Sequence, residues 1–69
     1  MKRPTFDRNL PIDRVADLAD RSRAVLRLAG VTCLGEAADN RGGWRGLACA
    51  TGAVIANVED VLVDHGLLA

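Results

Sequence analysis

The chain has 69 residues, nine basic and nine acidic side chains, and an apolar share of 49%. That length holds one domain with one core, not two. Only Phe6 and Trp44 are aromatic, so the core must come from Leu, Val, Ile and Ala. Such a core leaves little room for the pocket of roughly 300 Å³ or more that a small-molecule enzyme usually has.

Residues 1–10 are polar and carry Pro4 and an isolated Phe6. They are expected to form an arm that stays loose unless Phe6 docks. Residues 11–69 are expected to form a single helical domain. Pro11 opens a short turn, since proline is tolerated at a first helical position. From Ile12 to Ala29, apolar residues and Ser22 recur at intervals of three and four, placing Val15, Leu18, Ser22, Val25, Leu26 and Ala29 on one face. Arg23 and Arg27 fall on the opposite side. Asp20 suits an N-cap, which divides this stretch into a turn and a helix from about Arg21. Gly30 ends that helix as a left-handed C-cap.

Thr32 is the next expected N-cap, followed by a short helix over Leu34 to Ala38. Asp39 to Gly43 has the composition of a loop. Trp44 to Ala50 is a further short element with Leu47 and Ala48 pointing inward. Thr51-Gly52 forms a tight turn. Ala53 to His65 is the last helix, with Val54, Val58, Val61 and Leu62 on its inner stripe and Gly66 as C-cap. Leu67 and Leu68 fold back onto the core. The competing assignment is a hairpin over residues 47–57, because Val54, Ile55, Val58, Val61 and Val63 are β-branched. Apolar spacing of three and four that continues past Asn57 favours the helix.

Charge is unevenly distributed. Residues 1–45 hold all nine Lys and Arg residues and six acids, whereas residues 46–69 hold three acids and no Lys or Arg. Such a dipolar layout steers an encounter with a charged partner; the plainer alternative is a solvated surface with randomly placed charges. No apolar run approaches the roughly twenty residues that span a bilayer, and Met1 is followed by charge. A cytoplasmic chain is therefore expected, with Cys33 and Cys49 as reduced, buried thiols.

Several constellations bear on chemistry. Cys33, Cys49 and His65 lack both the count and the spacing of a structural zinc site. No metal or other cofactor is expected, and His65 is assigned to a helix C-terminus, where a protonated imidazole is favourable. Ser22 has no nearby base, neither cysteine has an evident orienting group, and no glycine-rich phosphate loop is present. No catalytic residue, and no enzymatic activity, is expected. Arg21, Arg23, Arg27, Arg41 and Arg45 are candidates for a basic surface that meets phosphate or an acidic protein. The alternative pairs them with neighbouring aspartates. Trp44, flanked by Arg41-Gly42-Gly43 and Arg45-Gly46, either stacks on a base or anchors an interface, or else plugs the core.

The run from Arg21-Ser22-Arg23-Ala24-Val25-Leu26 to Gly30-Val31-Thr32-Cys33-Leu34-Gly35-Glu36 resembles a segment of the C-terminal domain of the RNA polymerase alpha subunit. That family carries roughly R-S-x-N-x-L-K-x-A-G-I-x-T-x-G-D-L there. Pro11-Ile12-Asp13 with Asp17-Leu18, and Gly52 with Leu62-Val63-Asp64-His65-Gly66-Leu67, resemble its flanking segments, so the likeness covers most of residues 11–68. It implies an all-α fold, a compact bundle of four to five short helices with a helix-hairpin-helix-like unit. It also implies a role in transcription, with the DNA minor groove or a protein of the transcription machinery as partner. Arg21 falls at the family's principal minor-groove arginine and Arg27 at a basic position beside it. Ala24 replaces the family's Asn. Gly52 precedes Ala53-Val54-Ile55 where the family has a basic residue and Ser, and that stretch is about one residue shorter. Backbone donors after Gly52 remain suited to an anion, but the side-chain phosphate contacts are gone. Each lost cation removes about one unit of salt slope. The expectation is DNA docking through an Arg21-centred face. A protein-interaction module is the alternative, of the kind a phage or mobile element would use to bind or mimic host machinery. Self-association as a homodimer is a further expectation.

Overall fold

The computed structural model describes residues 8–68. They run through a 3-10 turn (Ile12–Arg14), α1 (Asp20–Leu28), α2 (Leu34–Asp39), α3 (Arg41–Arg45) and α4 (Gly52–Asp64). The described residues contain an isolated antiparallel bridge between Pro11 and Cys33 but no strand. The result is a small all-α bundle. The hairpin over residues 47–57 does not form, because Val54, Val58, Val61 and Leu62 make one buried stripe along α4. β-branching costs a helix only tenths of a kcal/mol per residue. Burying a valine or leucine side chain stabilises by about 1.5–3 kcal/mol, so packing overrides propensity.

Both long helices stop the same way. Gly30 has φ 79° and Gly66 has φ 76°. After α1, the Val31 N–H donates to the Leu26 carbonyl (2.9 Å) and Gly30 N–H to Arg27 (3.0 Å). After α4, Leu67 N–H donates to Leu62 (2.8 Å) and Gly66 N–H to Val63 (3.0 Å). These are two Schellman closures, each satisfying last-turn carbonyls and turning an apolar residue back onto the bundle. Thr51 caps the start of α4, its hydroxyl accepting from Val54 N–H.

The other helix starts depart from expectation. Ala19, not Asp20, occupies the N-cap position of α1, and no side chain of its own caps it. Cys33, not Thr32, is the N-cap of α2, also without a side-chain cap. Instead, the Leu34 and Gly35 amides donate to the carbonyls of Leu10 (3.0 Å) and Arg8 (2.8 Å). Residues 8–10, placed in the arm by sequence, thus strap the first turn of α2, and the folded unit reaches at least to Arg8. Gly35 is buried, and a Cβ there would lie 2.8 Å from the Arg8 carbonyl oxygen. Phe6 lies outside the described residues.

The short element expected over Trp44 to Ala50 is instead a helix over Arg41–Arg45, starting inside the predicted loop. Two glycines make it a weak helix by propensity, and Trp44 holds it. That indole is fully buried, and its Nε1–H donates to the Ala37 carbonyl at 2.8 Å. Leu47 packs against the core, whereas Ala48 is exposed rather than inward. Cys33 is half-buried and Cys49 exposed, and both are free thiols; the expectation of two buried thiols is corrected. Among the described residues, no helix is long and apolar enough to cross a membrane.

Candidate functional site

The first turns of α1 and α4 meet. Between them lies a shallow groove of about 240 Å³, lined by Ala19, Arg21, Ser22, Ala53, Val54 and Asn57. Asn57 assembles it. Its Oδ1 accepts from Ser22 Oγ (2.7 Å) and from Ala19 N–H (3.0 Å), and its Nδ2 donates to the Asp17 carbonyl (3.0 Å). One amide side chain on α4 thereby caps α1 and fixes the turn that precedes it. Asn57 was not singled out from the sequence, although a polar residue beside Val54, Val58 and Val61 is a signal of a buried polar contact.

The groove has a cationic rim. Arg21 is exposed and makes no ion pair among the described residues. The first amides of each helix lack intrahelical acceptors and carry partial positive charge. Gly52 begins α4 beside the groove with open space where a Cβ would stand. Arg21 and the turn after Gly52, which the sequence proposed separately, are therefore brought together.

The remaining arginines are not part of this surface. Arg23 turns back across the bundle: its Nε and Nη2 donate to the Ile12 (3.3 Å) and Val15 (2.9 Å) carbonyls, and Nη1 meets Asp20 (2.7 Å). It pins the 3-10 turn to α1, so its assignment to the solvent-facing side is corrected. Arg27 pairs with Asp13. Arg41 (2.8 Å) and Arg45 (3.5 Å) converge on Glu59, fastening α3 to α4. Arg8 pairs with Asp39. Trp44, a candidate contact residue, is 0% exposed and cannot stack on a partner. The arginine face is thus dispersed by pairing, and Arg21 is the cation left at the groove.

Two carboxylates are electrostatically tuned. The Thr32 N–H (2.7 Å) and hydroxyl (2.9 Å) donate to Glu36 and hold its carboxyl below the usual value. The hydrogen bond from Arg41, with the charge of Arg45, lowers that of Glu59. No group of three or more His, Cys, Asp or Glu side chains among the described residues is arranged to hold a metal ion.

No protein-family model matches the chain, and neither curated proteins nor solved structures yield a significant match.

Proposed function

We propose that this chain is a non-enzymatic binding module of transcription that docks on duplex DNA through Arg21 and the groove between α1 and α4. The observation that carries this reading is Arg21, without an ion pair among the described residues, at the groove where the first turns of α1 and α4 meet, since helix starts favour phosphate. The resemblance to the polymerase alpha C-terminal domain supports it, since Arg21 falls at that family's minor-groove arginine. Helix-hairpin-helix character belongs to the same proposal, with α4 and the turn before it as the second half of the unit. The groove is smaller than the roughly 300 Å³ of a typical small-molecule pocket, which fits a surface contact better than catalysis.

With one cation at the groove, affinity is low and the salt dependence shallow, on the order of one to two units of slope. The test is a titration of labelled AT-rich duplex at low salt. Wild type binds at micromolar concentration, and Arg21→Ala weakens binding about tenfold. Arg41→Ala and Arg45→Ala leave it unchanged. Absence of binding at high protein concentration overturns the reading.

A protein partner is the second reading. Leu28, 72% exposed on the outer side of α1, has no use in a phosphate contact, and pairing of Arg23, Arg27, Arg41 and Arg45 reduces the basic surface. Capture of a polymerase subunit or an activator from host lysate that is lost in Leu28→Ser, without duplex binding, would favour it.

A further inference from the structure

Two large apolar side chains are exposed among the described residues, Leu28 at 72% and Val63 at 47%. Each shares a helix face with charge of one sign that makes no ion pair among the described residues. On α1, Arg21, Ala24 and Leu28 are exposed at positions i, i+3 and i+7, so they share one face. On α4, Asp60, Val63 and Asp64 are exposed at i, i+3 and i+4 and likewise share a face. Neither aspartate makes an ion pair among the described residues; the acid of α4 that does is Glu59. The chain therefore carries a cationic-apolar face and an anionic-apolar face on different helices.

We propose that these faces bind each other between copies: the Arg21–Ala24–Leu28 face of one molecule docks on the Asp60–Val63–Asp64 face of a second. Leu28 packs on Val63, which removes both from water, and Arg21 reaches Asp60. Ala24 is small enough to let the two helices approach. Arg21 and Leu28 are about 10 Å apart along α1, and Asp60 and Val63 about 4.5 Å apart along α4. The long arginine side chain spans the difference. Charge complementarity selects this occupant: a second copy supplies both the matching charge and the matching apolar group. Because the two faces differ, the contact is heterologous and adds copies head to tail. Two apolar anchors make a small interface, well under about 1,200 Å², so the association is weak and transient.

Sedimentation equilibrium of the full chain, without nucleic acid and with reductant to keep Cys49 from cross-linking, tests this independently of the DNA reading. At low salt and up to about 1 mM protein, wild type shows a mass that rises with concentration and falls back as salt is added. Arg21→Glu alone and Asp60→Arg alone each weaken association at least tenfold, as does Leu28→Ser, while their circular dichroism stays wild-type. An equimolar mixture of Arg21→Glu and Asp60→Arg chains restores association, since each variant keeps one native face and gains a matching charge on the other. A wild type that stays monomeric, association that survives Asp60→Arg, or a mixture that fails to recover overturns the proposal.

Discussion

The buried Ser22 hydroxyl donates to Asn57 Oδ1 at 2.7 Å, across the contact between α1 and α4. The same oxygen accepts from the Ala19 amide, so one atom joins a core hydroxyl, a helix start and a second helix. Asn57→Ala leaves the Ser22 hydroxyl buried without an acceptor and is expected to destabilise the fold by about 1–3 kcal/mol. Asn57→Asp keeps the acceptor for Ser22 and Ala19 but turns a carboxylate oxygen toward the Asp17 carbonyl, so it is destabilising as well. Urea unfolding of Ser22→Ala, Asn57→Ala and the double variant measures the coupling, expected at about 0.5–3 kcal/mol.

Three glycines should respond differently to alanine. Gly35→Ala places a Cβ against the Arg8 backbone and costs about 1–3 kcal/mol. It also frees the strap, seen as faster amide exchange at Leu34. Gly30→Ala meets no atom within 4 Å, yet its left-handed φ costs about 1–2 kcal/mol. Gly52 has neither problem, so Gly52→Ala is neutral or stabilising by up to about 1 kcal/mol. Thermal unfolding of the three variants ranks them.

Trp44→Ala removes the largest fully buried side chain and is expected to cost about 3–5 kcal/mol, enough to unfold so small a domain. Trp44→Phe keeps most of the volume but leaves the Ala37 carbonyl without its donor, for a loss of about 1–3 kcal/mol. In wild type, the indole fluorescence is expected to be blue-shifted and to resist quenching by iodide. A red-shifted, readily quenched emission would contradict its burial.

Acid should weaken the fold through Glu36 and Glu59. Both have folded pKa values below the reference of 4.5, so the folded state favours their ionised forms. Their stabilisation is complete above about pH 4.5 and is lost as pH falls through the lowered folded values. Thermal midpoints measured from pH 7 downward should hold level and then drop below that point. Glu59→Gln, which loses the charge at every pH, should lower the neutral-pH midpoint and flatten the acid limb.

The features visible in the sequence were local ones. The glycines at 30 and 66, the Thr51-Gly52 turn and the stripe from Val54 to Leu62 are all set within a few residues by backbone sterics and apolar periodicity. Helix starts were less legible. Ala19 and Cys33 have no capping side chain, because Asn57 and the carbonyls of Arg8 and Leu10 serve in their place from other parts of the chain. Gly42 and Gly43 suggested a loop, and burial of Trp44 made it a helix.

The sequence by itself determined an all-helical bundle, where its long helices stop, and Arg21 as the leading candidate contact. Tertiary structure decided which arginines remain available. Arg23, Arg27, Arg41 and Arg45 look equivalent to Arg21 as residue types. They differ because folding brings Asp13, Glu59 or a carbonyl within reach of each of them. Charge is a property of the residue, but freedom to act on a partner depends on which neighbours the fold supplies, and several of these come from distant parts of the chain.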